Sequence, residues 1–125
     1  MDKNEVLRLF EEWNNALKTG EPENVAQLYA PGAILVPTMS NKVRHNHEEI
    51  KDYFVHFLAN KPVGEILESN IRDYGEIVIN SGIYQFTFQD GSAVKARFTY
   101  AYKLVNEHWL IIEHHSSQMP EQQGI

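Results

Sequence analysis

The side chains best suited to chemistry crowd near the end of the chain, in the segment 113–117. This segment carries one carboxylate, two imidazoles and two hydroxyls in succession: Glu113, His114, His115, Ser116 and Ser117. In a β-strand, successive side chains point to opposite faces. One face would then hold Ile112, His114 and Ser116, and the other Trp109, Ile111, Glu113, His115 and Ser117. Imidazole titrates near neutral pH, so His114 and His115 are the candidate catalytic acid or base, but they point apart and do not predict a metal site.

Three arginines, Arg44, Arg72 and Arg97, lie in segments that could meet Glu113 and His115 of the terminal strand and add positive charge there. In one interpretation Arg97, Glu113 and His115 form a pocket cluster, with Arg44 nearby, that binds an anionic or polar ligand and tunes the imidazole. In the other they form a buried polar network where the outer face of the sheet meets a second subunit. Charge pairs in strands are more often structural than catalytic. A β-bulge between Arg97 and Tyr100 would exchange the two faces, so both interpretations stay open.

Aromatic residues supply the lining that a polar cavity would need: Trp13, Tyr53, Tyr84 and Tyr100. Simple core packing is the alternative, but buried tyrosine hydroxyls need partners, which a polar pocket or ordered water provides. The predicted ligand-binding set is therefore Trp13, Arg44, Tyr53, Tyr84, Arg97, Tyr100, Glu113, His115 and Ser116. A carboxylate base in an apolar pocket is not indicated, because Asp73 and Asp90 have the setting of turn residues.

Composition excludes several classes of protein. The chain has 125 residues, no cysteine, and 17 acidic against 11 basic residues, for a net charge of −6. Without a basic run, nucleic acid is not an expected partner, and without a long apolar stretch neither is a membrane. His45 and His47 flank a predicted helix start and are interpreted as loop or capping residues, so we expect no metal and no cofactor. The sequence indicates a cytoplasmic protein, although a secreted protein trimmed of its leader would look the same.

The elements that must position these residues can be predicted from periodicity. Apolar residues spaced by three and four indicate a first helix that starts with a capping box at Asp2 and Glu5 and ends at Gly20. A short helix opens at Pro22, with Tyr29 on its buried side, and a brief strand covers 33–38. A third helix is capped by Asn46 and Glu49 and runs towards residue 62. Alternation then predicts four antiparallel strands over Glu65–Tyr74, Ile77–Phe88, Ser92–Val105 and Trp109–Ser117.

The predicted fold class is α+β, with three helices packed on a curved, mainly antiparallel sheet in the order α-α-β-α-β-β-β-β. We expect one domain over 1–120 and a polar tail over 121–125.

Several stretches, taken in their order, resemble a known family. They are 13–17 (WNNAL), 28–31 (LYAP), 43–50 (VRHNHEEI), 82–84 (GIY), 96–100 (ARFTY) and 109–117 (WLIIEHHSS). Together they are similar to bacterial members of the calcium/calmodulin-dependent protein kinase II association-domain family, grouped as SgcJ/EcaC-like, within the NTF2-like (SnoaL-like) superfamily. The resemblance implies a cone-shaped fold and assembly into a homodimer or a larger ring. No kinase activity is expected, because the glycine-rich loop, the catalytic loop and the Asp-Phe-Gly motif are absent.

The resemblance also implies a pocket on the inner face of the sheet, which arginines line in the kinase hub domain. Aligned by strand, Tyr84, Tyr100 and Ser116 stand at those positions, so hydroxyls replace the carboxylate-binding arginines. The preferred hypothesis is a homo-oligomerising domain whose polar and aromatic pocket binds a small polar or anionic molecule. The alternative is a small enzyme of the isomerase, dehydratase or hydrolase type. In that enzyme His114 or His115 is the acid or base, the two tyrosines donate hydrogen bonds, and Arg97 or Arg44 anchors an anion.

Overall fold

The computed structural model describes residues 1–121 and has the predicted order of elements. They are α1 Lys3–Lys18, α2 Pro22–Ala26, β1 Tyr29–Val36, α3 His47–Phe57, a 3₁₀ turn Leu58–Asn60, β2 Val63–Asp73, β3 Ile77–Thr87, β4 Ala93–Val105 and β5 His108–Gln118. The predicted α+β fold class is confirmed. Most of the predicted polar tail, from residue 122 onwards, lies outside the described residues.

The two longer helices begin where their side chains can cap them. At α1 the predicted capping box forms: Glu5 N–H donates to Asp2 Oδ1 at 2.9 Å, and Asp2 N–H donates to Glu5 Oε1 at 3.3 Å. At α3 Asn46 caps as predicted, but the carboxylate of Glu49 accepts from the backbone N–H of His45 at 2.8 Å. The predicted box at Asn46 is therefore only half formed, because Glu49 reaches one residue further back.

The five strands form one sheet in the order β1-β5-β4-β3-β2. All neighbours are antiparallel except β1 and β5, which run parallel and pair Leu35 with His114. The buried stripe of α1, consisting of Val6, Phe10, Trp13 and Leu17, is part of the core, which also takes the inner side chains of β3, β4 and β5. The inner face of the sheet therefore looks towards the helices, and its outer face looks away from them.

A β-bulge in β5 decides which of its residues face inward. Ala101 pairs with Glu113 and Tyr102 pairs with Ile111, so Ile112 is an extra residue between them. Ile111 and His114 are both buried on the inner face. The prediction that Ile111 shares a face with Glu113 is therefore wrong, since strict alternation does not survive an inserted residue. The bulge lies beyond the 97–100 segment, so the predicted assignment of His114 and Ser116 to one face and of His115 to the other holds.

The first strand begins earlier than predicted. Helix α2 ends at Ala26, and Tyr29 already pairs with Ile111 of β5 rather than completing a helical face. The pairing is interrupted before Ile34, around Gly32, whose φ of +80° favours a residue without a Cβ. Tyr29 is thus a strand residue aimed at the core.

A second bulge lies at Leu67 in the edge strand β2, between the pairs Ile66 with Tyr84 and Glu68 with Ile83. Beside it the two backbones come close together. A Cβ at Gly82 would lie 2.0 Å from the carbonyl oxygen of Glu68. Glycine is therefore required at this position by a close backbone approach rather than by its dihedral angles.

Candidate functional site

The imidazole of His114 lies at the centre of the inner face and has a partner at each nitrogen. Its Nδ1 is 2.8 Å from the Tyr29 hydroxyl, and its Nε2 is 3.2 Å from the Tyr84 hydroxyl. The ring stacks on Tyr100 at 4.1 Å between centroids, and Trp13 meets it edge-on at 5.7 Å. Only 3% of His114 is exposed. Strict alternation along β5 would place Ile111 and His114 on opposite faces. The bulge at Ile112 adds one residue between them, so that both side chains point inward.

Hydrogen bonds continue from His114 in both directions and form one chain. On one side, Trp13 Nε1–H donates to the Tyr29 hydroxyl at 3.2 Å. On the other, the Tyr84 hydroxyl donates to Ser116 Oγ at 2.7 Å, and Thr38 Oγ1 also donates to Ser116. Six side chains from α1, β1, β3, β5 and the segment after β1 are therefore linked: Trp13, Tyr29, His114, Tyr84, Ser116 and Thr38.

The hydrogen-bonded side chains from Trp13 to Thr38 are all uncharged around pH 7. Burial disfavours the imidazolium and, with a smaller contribution from His115, lowers the pKa of His114 to about 3. Burial likewise raises the pKa of Tyr29, Tyr84 and Tyr100 well above the usual value for tyrosine. An imidazole that stays neutral and is bonded at both nitrogens is poorly suited to act as a general base near neutral pH. The geometry suits hydrogen bonding rather than proton transfer.

A cavity of about 60 Å³ opens beside the end of this chain. His114, Tyr84 and Ser116 form its polar part, with Thr38 beside them. The remaining lining is apolar or aromatic: Trp13, Leu35, Pro37, Met39, Tyr53, Phe54, Phe57, Phe86, Phe88, Val94 and Ala96. Among residues 1–121, no lysine, arginine, aspartate or glutamate lines it. Burial raises the pKa of Tyr53 to about 12, with Arg44 opposing the shift, so this hydroxyl also stays neutral.

The structure brings together four of the nine predicted ligand-binding residues, namely Trp13, Tyr53, Tyr84 and Ser116, around this cavity, along with the catalytic candidate His114. The other inward residue, Tyr100, packs behind the His114 ring and does not line the cavity. Its hydroxyl, like that of Tyr102, is buried without a hydrogen-bond partner among residues 1–121. The aromatic part of the sequence prediction thus converges on one place.

The charged part of the predicted set lies elsewhere. Arg97, Glu113 and His115 point to the outer face, where Arg97 pairs with Ser117 and His115 with Thr99 across the strands. Within the described part of the chain no ion pair joins Arg97 to Glu113. Arg44 lies outside the cavity, donates to Ser40 Oγ at 2.9 Å, and stands 5.5 Å from the centroid of the Tyr53 ring. None of these four residues reaches the cavity.

Two polar residues of the site were missed by the sequence prediction. Tyr29 was assigned to the buried side of α2, although a hydroxyl-bearing aromatic two residues before Pro31 also fits a strand start. Thr38 was placed at the end of β1 without a role. His47 Nε2–H donates to the backbone carbonyl oxygen of Tyr29 at 2.7 Å, and His45 Nδ1 lies 3.0 Å from the Glu49 carboxylate. Over residues 1–121, no three histidine, aspartate or glutamate side chains form a group that could hold a metal ion. In the same range no helix is long and apolar enough to span a membrane.

A helical layer on one face of a curved five-stranded sheet, with a cavity between the layers, defines the NTF2-like, or cystatin-like, class of α+β proteins. The chain belongs to the family described as the calcium/calmodulin dependent protein kinase II association domain, whose model matches residues 2–120. The family resemblance stated from the sequence is therefore confirmed. A search of curated proteins finds no match.

Solved structures agree with this assignment. A protein from Xanthomonas campestris, provisionally described as a calcium/calmodulin dependent protein kinase II association domain, is 45% identical with a TM-score of 0.94, over 98% of this chain and 91% of that one. An NTF2-like protein of unknown function from Pseudomonas putida KT2440 is 14% identical with a TM-score of 0.82, over 97% and 89%. A protein from Streptomyces avermitilis, provisionally described as an NTF2-like dehydratase, is 13% identical with a TM-score of 0.81, over 93% and 94%. The last two show likeness of fold alone.

Proposed function

We propose that this protein binds a small, uncharged organic molecule in the cavity between its helices and its sheet, and that it does so as a homo-oligomer. The observation that carries the binding proposal is the hydrogen-bonded chain that ends at the cavity on Tyr84 and Ser116. A ligand with an apolar body and one polar end matches apolar walls that carry a few convergent polar groups.

If His114 had a purely structural role, its hydrogen-bonded chain would be expected to end within the core. Burying polar groups costs free energy unless each is hydrogen-bonded, so an apolar core would serve stability at least as well. Here the chain instead leads from Trp13 in the core to Ser116, which is only half-buried and borders open space. An arrangement that brings polar atoms to a cavity surface is typical of a site that orients a ligand.

The chemistry of the lining favours a neutral ligand, whereas the sequence prediction allows either a small polar molecule or an anionic one. An ionised carboxylate loses its hydration on entering an apolar cavity and would need a cation or several donors in exchange. The guanidinium of Arg44 stacks over the ring of Tyr53, outside the cavity, and already donates to Ser40 and to the backbone carbonyl of Lys42. The volume of about 60 Å³ favours a compact molecule whose far end lies at the open side near Met39 and Val94.

Assembly through the outer face of the sheet is supported by its mixed surface. One row across the strands consists of Ile79, Ala101, Glu113 and Ile34, and the next of Ser81, Thr99, His115 and Val36. The aliphatic members of these rows are only half-buried in the single chain. A solvated sheet face is usually polar, and contiguous apolar groups rimmed by charges mark an interaction surface. The occupant we propose is a second copy of this chain, in keeping with a family named for association.

Ligand binding can be tested with cyclopentanone as the probe, titrated against the protein while the Trp13 indole resonance is followed by NMR. The variant Val94→Trp places a large ring at the open side of the cavity, where Val94 is 39% exposed. We expect it to weaken binding at least tenfold. The matched control Val55→Trp places the same ring on the exposed side of α3 and should leave binding unchanged. Equal affinities for the wild type and Val94→Trp would refute binding in this cavity.

Assembly can be tested by light scattering at micromolar concentration. The wild type is expected to be a dimer or larger, and Ala101→Lys to be a monomer, because removing the ammonium from water in an interface can cost more free energy than its pairing with Glu113 returns. In a single chain this lysine would lie beside Glu113, so the fold should tolerate it. The control Val55→Lys, on α3, should keep the mass of the wild type. A monomeric wild type would refute the proposal.

A further inference from the structure

We infer that the hydroxyl of Ser116 is a hydrogen-bond donor committed to the ligand, and that the ligand presents a carbonyl oxygen (of a ketone, aldehyde, ester or amide) on a compact apolar body. This inference rests on the proposed binding function and specifies the chemical class of its ligand. It follows from counting hydrogens along the chain from Trp13 to Ser116.

The count begins at Trp13, whose indole nitrogen can only donate. It donates to the Tyr29 hydroxyl, which therefore accepts there and must place its own hydrogen elsewhere. In the described part of the chain, the one other hydrogen-bond partner of that hydroxyl is Nδ1 of His114, at 2.8 Å. If Nδ1 carried a hydrogen, Tyr29 would face two donors, and its buried O–H would have no acceptor. Nδ1 is therefore the acceptor in this pair.

The same count fixes the other side of the ring. A neutral imidazole with Nδ1 as the acceptor carries its hydrogen on Nε2. That hydrogen points to the Tyr84 oxygen at 3.2 Å, so Tyr84 accepts from His114 and is free to donate to Ser116. The direction of every bond from Trp13 to Ser116 is thus set by the indole of Trp13, which can only donate.

Ser116 ends the count with a hydrogen left over. With Thr38 as the donor in their 2.5 Å contact, the Ser116 oxygen accepts from Tyr84 and from Thr38, which uses both of its lone pairs; the opposite direction would leave the same spare hydrogen on Thr38, which lines the same cavity. The O–H of Ser116 has no partner among these residues, and Ser116 borders the cavity. An acceptor without a hydrogen of its own satisfies this group, and a carbonyl oxygen is the uncharged form of such an acceptor. A hydrocarbon would leave this O–H unpaired. A carboxylate would lose its hydration in a lining that has no charged group to replace it.

The test compares two probes of the same shape, cyclopentanone and methylenecyclopentane, in which a C=CH₂ group replaces C=O. Each is titrated by NMR against the wild type and against Ser116→Ala. We expect Ser116→Ala to weaken cyclopentanone about five- to tenfold, as for the loss of one net hydrogen bond, and to leave methylenecyclopentane unchanged. The infrared C=O stretch of bound cyclopentanone should also lie at lower frequency in the wild type than in Ser116→Ala.

The outcomes separate the two levels of the proposal. If both probes bind and Ser116→Ala affects them equally, or affects neither, the cavity binds small molecules but the assignment of the donor is wrong. An unchanged C=O frequency in Ser116→Ala would overturn the assignment as well. If neither probe binds the wild type, the proposed binding function fails and this inference fails with it. A folded Ser116→Ala is expected, since Ser116 is half-buried and small.

Discussion

Stability should fall between pH 7.5 and pH 5 because of one buried side chain, His114. In the unfolded chain its pKa is about 6.5, whereas burial lowers the folded-state pKa to about 3. The unfolded state therefore binds a proton over this range and the folded state does not. Linkage makes this contribution to stability complete above the unfolded pKa, and it is lost progressively as the pH falls towards 3. At pH 5 the loss from this one group is roughly 2 kcal/mol relative to pH 7.5, and it reaches about 4 kcal/mol at pH 3.

The range between pH 7.5 and pH 5 isolates this group from the carboxylates. The pKa values of Glu49, Asp73 and Asp90 are lowered by their hydrogen-bond donors, so these exposed groups lose their stabilising contribution only at lower pH. Urea unfolding curves, followed by tryptophan fluorescence at pH 7.5, 6 and 5 and at one protein concentration, give the free energy of unfolding at each pH.

A matched pair of variants identifies the residue responsible. His114→Gln retains hydrogen-bonding capacity but cannot titrate, and it should remove about 2 kcal/mol of the pH dependence. His115→Gln, the neighbour on the outer face, is exposed and should retain the dependence of the wild type. A wild type whose stability changes by less than about 0.5 kcal/mol over this range would refute the reasoning. A pH dependence that survives in His114→Gln would do the same.

Three further changes test the packing of the site and the sheet, each by urea unfolding at pH 7.5. Tyr29→Phe leaves two buried partners unpaired and should cost about 2–4 kcal/mol, whereas Tyr102→Phe removes a hydroxyl with no partner and should be neutral or stabilising; similar losses would contradict the hydrogen-bond chain. Gly82→Ala forces a Cβ onto the carbonyl of Glu68 and should cost about 1–3 kcal/mol or more; a neutral result would mean that the two strands separate freely. Asp2→Ala removes the cap of α1 and should cost about 1 kcal/mol, and no change would mean that the first turn frays in the wild type.

The fold could be predicted from the sequence because its signals are local. The capping box at Asp2, the spacing of Val6, Phe10, Trp13 and Leu17, and the alternation after Gly64 each follow from the periods of helix and strand. The α+β order follows from such patterns, whereas the family resemblance rests on particular stretches such as 43–50 and 109–117, and both are confirmed. Most strand ends differ from the prediction by no more than two residues, as is usual where ladders fray, but β1 begins at Tyr29, four residues earlier than predicted.

The candidate site could be predicted only in part, because the missing pieces depend on long-range pairing. Tyr29 reads locally as the end of a helix, and only its parallel pairing with β5 turns its hydroxyl towards His114. The extra residue Ile112 breaks the alternation of β5, and no neighbouring glycine or proline indicates a bulge there in the sequence. The charged residues suggested a ligand cluster because charge is conspicuous in a sequence, whereas the cavity is built from hydroxyls and aromatic rings.

The two edges of the sheet limit how copies of this chain can add to one another. At β2 the bulge at Leu67, with Glu65 and Glu68 on either side, interrupts the row of free backbone groups that another strand would need. At β1 the backbone N–H and C=O of Leu35 are taken by Arg44, with N···O distances of 2.9 Å in both directions. Bulged, charged or covered edges resist templating by strand addition. Concentrated solutions of the folded protein should therefore resist growth into fibrils by edge-to-edge pairing.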